Sequence, residues 1–318
     1  MKKSVKELHA IRAKMWDASI SRHEHYIDKS TGLFSTKFTE ERSCPVCTNN
    51  TPAFMFNKEG GTYVKCSSCN MVYLNPVFID EELTKFYQSN HSVQSEIVET
   101  DEDDFYSTIY NQGLDSVLSK AQLLTSILDI GCSSGAFLDL AAKRGLKTIG
   151  IELNESEFRL AEQKGHETYN DSLENIDFKQ EIDIVCMWDV FEHIKDGEVC
   201  LNTIKSILSI NGLIFLQIPS SDALAAKMLG AKCNMYDGIE HVNLYGIETI
   251  KKIANKCGLE IASMKTVISE ISVMNNYLNY DDPYMGDTKN QSSVHGIIDE
   301  KSIHENLLGY KLQVILRR

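Results

Sequence analysis

From Ser126 onward, short apolar runs alternate with segments of helical spacing. Ile127–Ile130, Lys147–Glu152, Ile182–Trp188, Leu213–Ile218, Leu259–Ser269 and Tyr310–Leu316 read as strands. Ala136–Arg144, Glu155–Lys164, Gly197–Leu208 and Ile247–Cys257 carry apolar residues at three- and four-residue intervals and read as helices. Strands alternating with helices of this length build βαβ units and a mainly parallel sheet. The N-terminal third follows other rules. Val5, Leu8, Ile11, Met15, Trp16, Ile20 and Ile27 are spaced as on a helix. Residues 41–75 read as a strand, a Lys58-Glu59-Gly60-Gly61 turn and a second strand, and 79–125 read as helical again. Residues 274–305 fit no period and are expected to form a long insertion before the last strand. The resulting plan is an N-terminal helical segment (1–40), a small two-strand unit (41–76), a helical connector or lid (77–120) and a large α/β domain (121–318).

Composition narrows the partners. The chain has 318 residues and a formal net charge of -13, which disfavours gripping nucleic acid by its phosphates or docking on an anionic membrane. Ser4, Lys6, Glu7 and His9 interrupt any secretory h-region, and no run approaches the ~18 apolar residues of a membrane span. A cytoplasmic protein is expected.

Four of the nine cysteines form two Cys-x-x-Cys pairs, Cys44-Pro45-Val46-Cys47 and Cys66-Ser67-Ser68-Cys69. Each pair can chelate through a tight turn. Together they offer the tetrahedral thiolate set that Zn²⁺ takes in closed, structural sites, so a zinc ribbon is expected. Such a metal would order a segment with little apolar mass of its own. The remaining five cysteines are scattered singly and read as free thiols.

The run Ile127-Leu128-Asp129-Ile130-Gly131-Cys132-Ser133-Ser134-Gly135 is a strand that ends in a small-residue turn and opens a helix. Such a turn lets backbone approach a ligand at the switch point of an open sheet. Glu152 stands at the end of the next strand, where a carboxylate can accept both ribose hydroxyls of an adenosine. A dinucleotide fingerprint would need Gly where the chain has Ser133 and Ala136, so an NAD-dependent oxidoreductase is a rival without its motif.

These segments, with Gly150-Ile151-Glu152-Leu153-Asn154 and the strand-and-turn Asp183–Ile194 containing Asp189-Val190-Phe191-Glu192-His193, resemble the class I S-adenosylmethionine-dependent methyltransferases. Asn211-Gly212-Leu213 and Ile218-Pro219-Ser220 match as well; Ser133 departs from the family's usual Gly. The resemblance implies a doubly wound, seven-stranded Rossmann-like α/β sheet. It implies S-adenosylmethionine held by Gly131, Cys132, Ser133 and Gly135 around the methionine part and by Glu152 on the ribose. Leu153 would cover the adenine, Asp171 and Ser172 would border its edge, and Trp188 and Asp189 would border the methionine end. Simple core packing is equally open to Trp188. Val72-Tyr73-Leu74-Asn75-Pro76 and Leu83…Phe86-Tyr87 are similar to the zinc-ribbon-bearing branch of the family. That likeness implies a small-molecule acceptor, a sugar or sugar nucleotide among them, in carbohydrate biosynthesis. The ribbon would serve as a lid or a homodimer contact.

Methyl transfer from a sulfonium demands alignment of the acceptor, and an alcohol or amine acceptor gains from a base that titrates near neutrality. Two Glu-His pairs offer one: Glu192-His193 after the fourth strand and Glu240-His241 after the fifth. The second resembles the E-H segment that supplies a base in some sugar methyltransferases. His241 is the leading candidate, with Glu240 supporting it. For His193, catalysis and a structural hydrogen bond are both open. O-methylation is the default outcome, with C- and N-methylation open, and a catalytically silent scaffold is the alternative that Gly131, Gly135 and Glu152 argue against.

Overall fold

A computed structural model describes residues 23–88, 105–121, 123–278 and 298–318. Its centre is a seven-stranded mixed sheet. In chain order the strands of the molecule are β1 (Pro52–Lys58), β2 (Gly61–Cys66), β3 (Val72–Leu74), β4 (Ser126–Ile130), β5 (Lys147–Ile151), β6 (Glu167–Tyr169), β7 (Ile182–Trp188), β8 (Leu208–Pro219), β9 (Asn243–Leu244), β10 (Glu260–Val267) and β11 (Lys311–Arg317). The central sheet runs β6-β5-β4-β7-β8-β11-β10. Its first five strands are parallel, and β11 lies antiparallel between β8 and β10. β4 is buried along its whole length and β7 along most of it, as expected of strands covered by helices on both faces.

The crossover helices are α3 (Ala136–Lys143), α4 (Glu155–Gln163), α5 (Gly197–Ile207) and α7 (Ile247–Lys256); α1 (Asp80–Gln88) and α2 (Phe105–Leu118) precede the sheet and α6 (Leu224–Leu229) follows β8. Local chemistry starts two of them. Asn154 accepts the amides of Ser156 and Glu157 to cap α4, and Asp196 accepts that of Val199 to cap α5. Because the strands are parallel, the turns after β4, β5 and β7 gather on one edge of the sheet, which is where the site is built.

The ribbon is not a separate unit. β1, β2 and β3 form an antiparallel sheet whose fourth strand is β9, so the order is β9-β3-β2-β1. A strand from beyond β8 thus completes the N-terminal sheet, a long-range pairing that no local pattern announces.

Other differences from the sequence reading are local. The helical spacing of residues 4–27 falls largely on residues 1–22, outside the described residues. Its last residue, Ile27, lies instead in a two-residue pairing with Phe34. Thr39–Glu40 likewise pairs with Val77–Phe78, so in the described part of 1–40 only His23 is helical and turns and short pairings follow it. The expected insertion at 274–305 begins and ends in helix, α8 (Ile271–Leu278) and α9 (Glu300–Glu305), with 279–297 outside the described residues. β8 starts earlier than its apolar run, at Leu208, because the Ser209-Ile210-Asn211-Gly212 stretch still extends the strand. Among the described residues no helix is long and apolar enough to cross a membrane.

Candidate active site and four-cysteine cluster

The turn after β4 has the shape that a close backbone approach requires. Gly131, Ser133 and Gly135 all lie in the left-handed region, at φ 77, 48 and 80°. That conformation suits glycine and is strained for Ser133. Two hydrogen bonds hold the serine there. Its amide donates to Glu152 Oε2 at 2.9 Å and its hydroxyl to Glu157 Oε2 at 2.8 Å. Glu152 Oε1 accepts the Asn154 amide at 2.8 Å. Burial raises the Glu152 carboxyl, against the amides that favour its charge. A carboxylate has about four acceptor positions, so two amides leave room for ribose hydroxyls. The residues therefore fit an adenosine at the position expected from the sequence. Cys132 is buried, its sulfur packed where a side chain on Gly150 would be, so its backbone is what it offers the turn. Leu153 is exposed beside Glu152. Asp171 accepts the Ser172 amide and the Asn175 side chain, at 2.7 and 2.8 Å, on the far side of the same edge.

Trp188 packs among Tyr110, Phe137 and Phe215 at ring distances of 4.8, 5.1 and 4.5 Å. A side chain at Gly113 would collide with its ring. Asp189, at φ 55°, turns the chain after β7. Its Oδ2 accepts from Gln217 at 3.1 Å and its Oδ1 meets Lys311 Nζ at 2.9 Å. Burial opposes the Lys311 charge, but Asp189 and Glu192 outweigh it and hold the amine above its ordinary value.

Tertiary folding brings the two Glu-His segments together. The rings of His193 and His241 meet edge to face at 4.9 Å, and one atom each from Glu192, His193 and His241 lie within 4.8 Å of one another. His241 Nδ1 is 2.7 Å from the carbonyl of Met235. A carbonyl only accepts, so Nδ1 carries a proton, and Nε2 is the nitrogen that is free of one in the neutral ring. Nε2 faces Glu192 Oε1 at 4.0 Å and Asp237 Oδ2 at 3.8 Å. Glu192 is fully buried and neither of its oxygens has a hydrogen-bond partner among the described residues. Burial, then the charge of Asp189, pushes its carboxyl well above the usual range. Asp237 behaves oppositely. Burial opposes its charge, but His241, the amides it accepts and His193 hold it below the usual range. Those amides belong to Ile239, Glu240 and His241, all on Asp237 Oδ1 at 3.0–3.1 Å. His193 accepts from or donates to the Tyr87 hydroxyl at 3.1 Å, and burial followed by repulsion from His241 brings it down to about 3. The carboxylates that flank His241 Nε2 are thus Glu192 and Asp237, while Glu240 sits half-buried on the same turn.

The four cysteines converge as their spacing predicts. Cys44 and Cys69 sulfurs lie 3.5 Å apart, as do those of Cys47 and Cys66, and all four lie within 4.8 Å. The two turns repeat one geometry. Thr48 donates its amide to Cys44 O, Asn70 donates to Cys66 O, and both residues are left-handed, at φ 60 and 63°. A tetrahedral ion with metal–sulfur bonds of ~2.3 Å needs sulfurs ~3.8 Å apart, a spacing this set brackets. The cluster can hold a metal ion.

A family model described as a methyltransferase domain matches residues 103–264, just over half of the chain. The chain belongs to the class I S-adenosylmethionine-dependent methyltransferases. A curated relative of this methyltransferase, the ubiquinone biosynthesis O-methyltransferase of Bradyrhizobium diazoefficiens, is 31% identical over 114 residues, 33% of this chain and 45% of that protein. Its counterpart from Bradyrhizobium sp. is 28% identical over the same length and shares. The match thus spans less than half the length of these relatives. Among solved structures, a plantazolicin methyltransferase, BamL, in complex with a triazolic desmethylPZN analogue and SAH, superposes with a TM-score of 0.51 at 16% identity. The superposition covers 74% of this methyltransferase and 95% of that chain. It supports the fold.

Several residues of the methyltransferase site escaped the sequence reading. Tyr87, Asp237 and Lys311 come to the histidines from a helix end, a turn and the last strand, and no spacing connects them. Glu192 was visible as the partner of His193 in sequence. In space it faces the other histidine. An Asp that begins the turn Asp237-Gly238-Ile239-Glu240-His241 is a recognisable signal for a side chain that accepts the following amides.

Proposed function

We propose that this methyltransferase transfers the methyl group of S-adenosylmethionine to a hydroxyl of a small acceptor, with His241 as the proton acceptor. The observation that carries the reading is the Nδ1–H bond from His241 to Met235 O, which leaves Nε2 as the nitrogen able to take a proton in the neutral ring and turns it toward Glu192, in the turn after the fourth strand. The cofactor, when bound, supplies an electrophilic methyl on a positively charged sulfur. Gly131, Ser133 and Gly135 would cradle its methionine part and Glu152 its ribose, with Leu153, Asp171 and Ser172 toward the adenine. His241 would take the hydroxyl proton on Nε2 as the acceptor oxygen forms its bond to carbon. Asp237, held ionised, stabilises the imidazolium that results. His193, brought down to about 3, is neutral at physiological pH and suits hydrogen bonding to the acceptor better than proton storage.

A sugar or sugar nucleotide is the acceptor class we favour. The resemblance to the ribbon-bearing branch supports it, and so does a cluster of carboxyl and imidazole groups, Glu192, His193, Asp237 and His241, whose chemistry suits hydroxyls. The four-cysteine cluster we assign to a structural zinc ion, since four thiolates fill a tetrahedral set and leave no open position for chemistry.

Calorimetry with S-adenosylmethionine, followed by transfer of a labelled methyl to a panel of nucleotide-linked deoxysugars, tests the proposal. Binding with label recovered as a sugar methyl ether is expected. Absence of cofactor binding defeats the whole reading. Binding with transfer to a phenol and to none of the sugars defeats the acceptor class.

A further inference from the structure

The ribbon touches the acceptor side of the site through backbone, at two glycines. A side chain built on Gly61, the first residue of β2, would collide with the carbonyl oxygen of Gly238, and one built on Gly238 would collide with the carbonyl oxygen of Lys58. Ordinary carbon contacts need about 3.5 Å. Only glycine at both positions permits this approach, and Gly61 needs no unusual φ of its own. The turn so contacted is Asp237–His241.

A buried hydroxyl closes the same contact. Tyr63, fully buried on β2, donates to the carbonyl of His241 at 3.2 Å and accepts the amide of Gly238 at 3.3 Å. One side chain of the ribbon therefore bridges both ends of the turn. Immediately afterwards the chain joins the ribbon sheet as β9, and Leu74 donates its amide to Val242 O. Arg42, just before the first cysteine pair, donates to Val242 O at 2.7 Å, to Asn243 Oδ1 at 3.0 Å and to Lys195 O at 3.3 Å. Asn243 in turn donates to Ile194 O at 2.7 Å. The segments carrying His193 and His241 are thus both tied to the ribbon, while the turn at 131–135 bonds to Ile151, Glu152 and Glu157.

We infer that the ribbon is the positioning element of the acceptor half of the site, with Tyr63 and Gly61 as positioning residues that hold the Asp237–His241 turn so that His241 Nε2 faces Glu192. The inference rests on the reading of His241 as the proton acceptor for its functional consequence, but its structural content does not depend on it. Loss of the Tyr63 hydroxyl leaves the Gly238 amide and the His241 carbonyl unpaired in a buried place, and buried backbone groups seek partners. The turn would then rotate, and the Met235–His241 bond that sets the tautomer would go with it. A methyl at Gly61 would displace the turn outright. Neither change reaches Glu152 or the 131–135 turn.

The test uses the full chain with its metal. Tyr63→Phe keeps the ring that packs against Phe56 and Tyr236, Gly61→Ala adds one methyl, and Phe54→Ala, at an exposed ribbon position, serves as control. Nitrogen-15 NMR of labelled histidine, with His241 assigned by His241→Gln, reads the Nδ1–H tautomer without any acceptor. We expect a single Nδ1–H form in the wild type and the control, and a mixed or inverted tautomer signal in Tyr63→Phe. Single-turnover transfer to the sugar acceptor should fall by about tenfold or more in Tyr63→Phe, with the S-adenosylmethionine Kd within twofold of wild type. Gly61→Ala should show the larger effect, and if it fails to fold Tyr63→Phe still decides. Unchanged His241 signals in Tyr63→Phe overturn the inference. Failure of the base reading is seen separately, as a full transfer rate in His241→Ala.

Discussion

His241 Nε2 and Glu192 Oε1 face each other across 4.0 Å, and the Glu192 carboxyl is fully buried with no hydrogen-bond partner among the described residues. Unpaired buried polar groups are costly, so a group left in this condition is suited to receive a ligand. The two come from turns nearly fifty residues apart in sequence, and their meeting is where the proposed function puts the acceptor.

Replacement of His241 by Ala should lower single-turnover transfer by about 10²–10⁴-fold, the usual contribution of a positioned base. Cofactor affinity should hold, since residue 241 lies on the acceptor side. Rate against pH at saturating cofactor, measured for wild type and variant side by side, checks it. A wild-type rate and profile in the variant would remove His241 from the mechanism.

Glu152→Ala should weaken S-adenosylmethionine binding by roughly 1.5–3 kcal/mol, the range for hydrogen bonds to a charged group. Part of this comes from the Ser133 and Asn154 amides that lose their acceptor. Titration calorimetry measures it, and unchanged affinity would place the adenosine elsewhere.

His193 links stability to pH. Its folded value is about 3 against an ordinary 6.5, so between these values the unfolded chain binds the extra proton. The contribution is fully present above about 6.5 and is lost as pH falls toward 3. Thermal melts should show His193→Gln with a shallower fall in Tm than wild type over that window. Equal slopes would contradict the buried, neutral state of this ring.

Elemental analysis should find about one zinc per chain, as a closed four-thiolate site requires. Cys66→Ser should lose the metal and melt at lower temperature, because metal binding in such a unit is also folding energy. A wild-type protein that is metal-free and equally stable would exclude the assignment.

Tyr87, Asp237 and Lys311 show where sequence reading stops. Each is an ordinary residue in its own segment, and each gains significance from a neighbour at least four residues, and mostly many tens of residues, away. By contrast Gly131, Gly135 and Glu152 were legible because the turn after a parallel strand and the end of the next strand are adjacent by construction. The cysteine pairs were legible because chelation requires short spacing. His193 and His241 were both picked out, but their ring contact, and the assignment of Glu192 and Asp237 as the groups flanking Nε2, were not.

By itself the sequence determined the alternation of strands and helices, the small-residue turn after β4 and the four cysteines that converge. All of these depend on periodicity or on contacts between segments close along the chain. Tertiary structure alone decided that β11 runs antiparallel inside the sheet, that β9 completes the ribbon, and that the ribbon's Gly61 and Tyr63 meet the turn bearing His241. Those pairings join backbone groups far apart in sequence. What selects them is burial and hydrogen-bond satisfaction of the whole fold, which no local pattern encodes.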